Sequence, residues 1–536
     1  MPGQLQAVSN ATLGFLGLNT QEAGVTLDSG YATKAINCII DKSGRLGSRR
    51  GWSMLTTTPG DLGTTATIDS MFEFLDEDRI STIFSAGNGK LYTGTTTLTT
   101  TPIYDVESAG VSAELATQPT YTTNRWQFAQ LADGTGVGGN MHGFAAQNGA
   151  AMLVYRREND VGSYKWQTLG TAGYGAVPTG VTTCDPDTVL SAYGRIWIAG
   201  ITGAESQIFY SQLLDGTAFT GTGSGTLNVA AVVGNNDEVV GLASHNGFLI
   251  VFCKHNIVIY QNADDPTNIA LQDVITGVGC IARDTIQTTG NDLIFLSDAG
   301  LMSLKRIITE KSLPMRELSL NIRDDLISYI AGEDKSTIRS IYYERDGFYL
   351  LVLPGLKDII YFDLRKLLEN GSARTTIWSG LTPKALLETE DNTLYYGEAG
   401  GIARYTGYTD DGEGYRMEYF TQNTDIGAPN RLKILKKTKA ILIASGTQDI
   451  VFKYGFDYNT VFESRTYTKD FTGGSSEYNL AEYNINEFTA GTAINELQLN
   501  IGGSGKFLQF GVEVPIEGAP VAIQQLTVYF KMGRVN

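Results

Sequence analysis

Three histidines, four cysteines and a scatter of turn carboxylates are the residues of this chain that could do chemistry. Cys253 and His255 stand two apart on one strand face with His245 just before them, a spacing at which soft ligands could meet a zinc ion. Both histidines fall at turn positions, however, and no fourth ligand lies nearby, so the pattern reads as a hairpin. Gly134-Thr135-Gly136-Val137-Gly138-Gly139 matches a dinucleotide fingerprint, but Asn140-Met141-His142-Gly143-Phe144 follows it without the helix that would receive a pyrophosphate. Gly221-Thr222-Gly223-Ser224-Gly225 lacks the Lys-Ser/Thr of a phosphate loop, and no G-x-S-x-G nucleophile elbow occurs. Asp298, Asp346, Glu390 and Asp391 could pair for glycoside hydrolysis. All four occupy hairpin turns, where Asp and Asn belong for backbone reasons. Ser297-Asp298-Ala299-Gly300 is only a partial echo of the Ser-x-Asp-x-Gly-x-Thr-Trp box of sialidase blades, and Asp410-Asp411-Gly412-Glu413 could hold a cation loosely. No catalytic, cofactor or metal site is expected. One basic cluster, Arg431, Lys433, Lys436, Lys437 and Lys439, stands out as an interface for an acidic neighbouring subunit or anionic cell surface, or as lysines guarding a strand edge.

The elements that would position these residues repeat along the chain. Val239 to Ser244 leads through His245-Asn246-Gly247 to Phe248-Leu249-Ile250-Val251-Phe252, then a Lys254-His255-Asn256 turn and Ile257-Val258-Ile259-Tyr260. The same pattern returns around Leu293-Ile294-Phe295-Leu296, around Phe348-Tyr349-Leu350-Leu351-Val352-Leu353, and around Leu394-Tyr395-Tyr396. Each unit is a meander whose middle strand is apolar on both faces, which only neighbouring sheets can bury. Recurrence at roughly 40–50 residues predicts a β-propeller of about six to seven blades, some irregular. Gly is abundant, 62 of 536 residues, and sits beside β-branched and aromatic strand formers, which fits an all-β chain. Three regions are expected: an N-terminal arm or platform segment over 1–60, a β-propeller over 61–408 and a C-terminal β-sandwich over 409–536. Within the propeller, 95–123 reads as a surface excursion and 205–236 as a strand ending in a long loop. Helices are predicted over 320–330, capped by Ser319, and over 364–370.

The net charge of −17 disfavours a protein that grips nucleic-acid phosphate. Acidity of this size keeps a large protein soluble and would suit a surface that DNA must slide past. Cys38, Cys184, Cys253 and Cys280 have no paired spacing and read as buried thiols. The opening Met1-Pro2-Gly3-Gln4 shows no export signal, and no run of about 18 apolar residues could span a membrane. Synthesis and folding in a cytoplasm are expected.

The stretch Gly17-Leu18-Asn19, followed by Ala35, Asn37, Gly44, Leu46, Arg49 and Gly51 in an A-x-N-x-x-x-x-x-G-x-L-x-x-R-x-G pattern, resembles the opening of the tail nozzle, or tail tubular "stabilization", proteins of short-tailed bacteriophages. Trp126-Gln127-Phe128-Ala129-Gln130, Gly194-Arg195-Ile196-Trp197-Ile198-Ala199-Gly200 and Asp425-Ile426-Gly427-Ala428-Pro429 with Lys433 are similar to later segments of that family. The resemblance implies a structural virion protein with no catalysis or cofactor, assembled as a homohexamer beneath an adaptor ring. It implies a seat for tail fibres or a spike and a conduit for double-stranded DNA that passes without sequence-specific binding. On this view the protein is made in the bacterial host cytoplasm and resides in the virion tail. The alternative expectation is a carbohydrate-binding or glycoside-hydrolase-like propeller acting on host surface glycans.

Overall fold

Hairpins built from apolar runs and tight turns dominate the molecule. The computed structural model describes residues 6–9, 15–40, 44–106, 112–134, 140–157, 163–170, 175–234, 237–290, 292–304, 317–470 and 493–535. The strand Phe348–Leu353 is buried along its whole length, as is Leu293–Ser297, because sheets pack on both of their faces. The hairpin turns suit their sequences: Asn88 and Gly89, and Asn246 and Gly247, all have positive φ, the geometry that matches the twist of two paired strands.

Six small sheets stand in a ring, the arrangement of a β-propeller. Their inner strands are Ile68–Leu75, Gln127–Ala132, Thr188–Ala192, Val239–His245, Gln287–Thr288 and Ala385–Glu388. A four-strand meander of the same form, beginning at Arg339–Tyr343, stands between the last two. Its outer strand, Arg374–Ser379, runs on into a ten-stranded sheet. The inner strand Ala385–Glu388 packs against Ile68–Leu75, which closes the ring.

The ring is closed by a strand from outside 61–408. Trp52–Met54 pairs antiparallel with Gly401–Tyr405 as the outermost strand of the last blade. Just before it, Tyr31–Ile36 lies between Arg374–Ser379 and Tyr415–Thr421, while Cys38–Ile40 and Leu46–Ser48 extend a seven-stranded sheet. Beyond the propeller, that sheet (Arg431–Ala444, Ala493–Asn500, Val521–Val535) faces the ten-stranded one (Tyr415–Thr421, Leu508–Ile516, Thr447–Phe456, Glu463–Asp470). Met417, Tyr419, Leu442, Phe452, Val512, Leu526 and Val528 share one core between the two layers, as in a β-sandwich.

Several local expectations are corrected. The stretch 95–123 is no mere excursion, since Thr99–Thr100 completes one blade and Ile103–Val106 runs parallel to Tyr164–Thr168 in the next. In place of one helix over 320–330 there is a 3-10 turn, Leu320–Ile322, and then the α-helix Arg323–Gly332. Ser319 does not cap it, because its hydroxyl accepts the Leu301 N–H at 3.0 Å. No helix forms over 364–370. There the Leu368 amide, which would close a first turn onto Leu364 O, bonds Ser372 O at 2.9 Å instead, and the Gly371 amide bonds Leu368 O at 2.8 Å, so the segment folds as a turn. A short helix, Ala230–Val233, stands where a loop was expected. Among the described residues no helix is long and apolar enough to cross a membrane.

Candidate functional site

The residues that looked capable of chemistry are dispersed. Cys253 is buried, and burial pushes its thiol and that of Cys280 up to about 12. Among the described residues no three His, Cys, Asp or Glu side chains converge to hold a metal ion. Most of the glycine-rich fingerprint, 135–139, lies outside the described residues. Asp298 is exposed on its turn, and Glu390 pairs with Arg79. Asp391 accepts the Thr389 hydroxyl and the Thr393 N–H, so it holds its own turn. Asp410 serves a guanidinium and is not free for a loose cation.

That guanidinium belongs to Arg49, which is fully buried where the N-terminal strands, the last blade and the sandwich meet. Its Nη1 and Nη2 donate to the two Asp410 carboxylate oxygens at 2.8 and 2.6 Å, and Nε donates to Asn37 Oδ1 at 2.9 Å. The Tyr415 ring lies 4.0 Å from the guanidinium carbon, while the Tyr415 hydroxyl donates to the Arg49 carbonyl. Burial works to lower the Arg49 pKa, but the Asp410 contact outweighs it and the value lies above the ordinary one. Asn37 adopts the left-handed conformation at φ 53°, which Asn tolerates better than most residues. From there its amide nitrogen donates to Arg416 O at 2.9 Å and Ser379 Oγ at 3.2 Å, tying sandwich to blade. Gly51 is required by contact, since a Cβ there would lie 1.9 Å from Thr409 O. Leu46 is fully buried, Ala35 is buried beside it in the same core, and Gly44 turns with φ 74°. Asn19 is buried too, its carboxamide oxygen taking the Gln21 N–H at 3.0 Å. Trp126 lies apart from this seam, between the first two blades, edge-on to Tyr121.

A second centre was not anticipated from the sequence. On the propeller axis Asp284 meets three arginines: Arg283 Nε at 2.7 Å, Arg125 Nε at 2.8 Å and Arg339 Nη1 at 3.2 Å. Arg283 also reaches Asp187 Oδ1 at 3.1 Å. Burial would raise the Asp284 pKa, yet the guanidiniums hold it far below the carboxylate range. Arg125, Asp187 and Arg339 border a cavity of about 900 Å³ with Asp69, Asn124 and Asp334. The available signal was positional: each charged residue stands at or just before the inner strand of its blade.

The basic cluster divides. Lys433 is wholly buried, its ammonium donating to Ala428 O at 2.5 Å and Lys506 O at 2.6 Å, and burial lowers its pKa. It therefore cannot be an interface residue in this conformation. Arg431 and Lys436 are exposed, Lys437 donates to Gln498 at 3.3 Å, and Lys439 pairs with Glu496 at 2.7 Å. Their strand, Arg431–Ala444, is paired on both sides, so the edge-guarding explanation fails.

No family model and no curated protein matches the chain. Among solved structures it is similar to the Pan2 WD40 domain of Neurospora crassa, at 9% identity and a TM-score of 0.37 over 67% of this chain and 96% of that one. It is also similar to the extracellular domain of a one-component system from B. thetaiotaomicron, at 12% identity and a TM-score of 0.38 over 83% of this chain and 59% of that one. PorZ, a surface component of the type-IX secretion system of Porphyromonas gingivalis, aligns at 11% identity with a TM-score of 0.34, over 66% of this chain and 37% of PorZ.

Proposed function

We propose that this protein is a structural subunit of the tail nozzle of a short-tailed bacteriophage. Six copies form a ring that docks on the adaptor ring, carries fibres or a spike and conducts the genome outward. The seam carries this reading. Ala35, Asn37, Leu46, Arg49 and Gly51, five of the positions on which the resemblance rests, lie where the N-terminal strands meet propeller and sandwich. A rigid joint between two large β units is what a conduit wall under the pressure of passing DNA requires. In this proposal the segment 1–60 and the sandwich over 409–536 make the docking platform, and the propeller loops form the outer wall. The net charge of −17 supports a lumen that repels phosphate, so exit is not slowed by adhesion.

The test is the mass of the purified protein by light scattering, alone and with the adaptor ring, followed by electron microscopy. A six-fold ring with a channel wide enough for duplex DNA is the expected result. A persistent monomer that ignores the adaptor would overturn it. That outcome would favour the glycan-acting alternative, for which the cleft lined by Gln287, Tyr342, Glu344 and Glu388 is the place to look.

A further inference from the structure

Opposite charges are segregated onto two different faces of this chain. In the seven-stranded sheet, Thr438, Ala440, Leu442, Leu526 and Val528 point into the core. The alternate residues therefore point outward: Lys437 beside Tyr529 and Asn500, Lys439 beside Thr527 and Gln498, and Ile434 beside Lys531. A bulge between Leu435 and Lys437 leaves Lys436 exposed next to them. Among the described residues, four lysines thus share this face with one carboxylate, Glu496, which Lys439 occupies. Lys437 lies 4.7 Å from the centre of the Tyr529 ring, so the face combines charge with an aromatic platform and amide groups. In a chain of net charge −17 this is a marked local reversal.

The other face is one end of the propeller ring. Two adjoining clefts there, of about 440 and 340 Å³, are lined by Glu344, Glu388 and Tyr342 and by Glu73, Glu390, Asp391 and Tyr395. Among the described residues the cations near these clefts are Arg79, already paired with Glu390, the exposed Arg345, and the exposed Arg404 opposite Tyr395. Burial raises the Glu388 pKa, the Glu344 and Asp346 carboxylates add to it, and the Glu344 and Arg345 N–H groups offset part of it.

We propose that the lysine-bearing sheet face of one copy seats on the acidic propeller end of a second copy. A face that repels its own like cannot pair with itself, so each patch selects the other and the contact runs head to tail. Such a contact propagates into a ring or a filament, and the inference rests on the nozzle reading for closure into a ring. It adds to that reading the identity of the two surfaces that meet.

Charge exchange in the full-length protein tests it, read by sedimentation velocity from low to high salt. Wild type should associate at low salt and separate as salt screens the contact. K437E/K439E alone and E344K/E390K alone should each weaken self-association about 30-fold or more, since like charges then face each other. An equimolar mixture of the two variants should assemble again, because each surviving patch meets its complement on the other protein. Circular dichroism of each variant checks that the fold is intact. A mixture that stays apart, a variant that associates as tightly as wild type, or a wild type that remains monomeric at every salt overturns the contact. If all variants still form the same ring on the adaptor, the contact is wrong while the nozzle reading stands. If wild type neither self-associates nor docks, both fall.

Discussion

Two buried arginine centres hold this molecule together, and they do so by different means. At the seam one guanidinium meets one carboxylate, Arg49 with Asp410, in a bidentate pair, while Nε donates to Asn37 and Nη1 also to the Arg50 carbonyl. Arg49 has no exposed surface, so geometry is what keeps its charge satisfied. On the axis one carboxylate serves three guanidiniums, and the Asp284 side chain keeps 18% of its surface exposed beside an open cavity. Charge count governs there: Arg125, Arg283 and Arg339 against Asp187 and Asp284, drawn from separate blades. The seam thus fixes an angle between two β units, whereas the axis draws the members of a ring toward one point. A fault at the seam is local, while a fault on the axis leaves several cations stranded at once.

The largest effect should come from the axis. Asp284→Asn removes the shared partner of three arginines, and an uncompensated buried charge costs about 3–5 kcal/mol. Urea unfolding should show the loss, with a lower midpoint and an unchanged far-ultraviolet spectrum below it. A loss under about 1 kcal/mol would mean that water in the cavity already carries these charges. The seam should respond to shape where the axis responds to charge. Arg49→Lys keeps the positive charge but gives up the fork geometry and the bond to Asn37, at a cost of about 2–3 kcal/mol. A conservative change at an exposed arginine such as Arg79 should move stability by no more than about 0.5 kcal/mol. If Arg49→Lys proves equally silent, the seam is an ion pair like any other and the comparison collapses.

How much of this was legible in the sequence depends on how local the signal is. Blades could be read because each hairpin carries its own apolar runs and its own tight turn, as at Asn246-Gly247. The closing strand Trp52–Met54 could not, since its partner Gly401–Tyr405 stands at the opposite end of the propeller sequence. Lys433 was misplaced for a related reason. The bulge between Leu435 and Lys437 puts an extra residue into this strand, so Lys433 and Leu435 face inward before it and Thr438 and Ala440 after it, and nothing in a run of alternating residues announces a bulge. Seam positions were named through the resemblance, and only the fold explains why Gly51 and Asn37 are needed. The axial charges did recur at one place in the repeat, yet only closure of a ring brings four such places together. At 364–370 apolar spacing imitated a helix, and the turn that bonds Leu368 N–H to Ser372 O prevailed.

Acid and base should separate the two centres most finely. Asp284 is held far below the carboxylate range, so its contribution is complete at pH values above the ordinary carboxylate value and is lost progressively as pH falls from there toward the folded-state value. Glu398 lies beside the seam and behaves in the opposite sense. Burial, with a smaller push from Asp410, moves its pKa from 4.5 up to about 7. Between those values the folded protein holds a proton that the unfolded chain has released. Stability therefore falls as pH rises through that window and levels off above it. Glu398→Gln keeps the side-chain shape without the titration, so it should change stability little at pH 5 and raise it at pH 8 by about 3 kcal/mol. The difference between wild type and variant, measured by urea unfolding at several pH values from 5 to 8, cancels whatever the rest of the chain titrates. A variant whose stability declines with pH as steeply as wild type would show that Glu398 ionises at no cost, and that water reaches the seam.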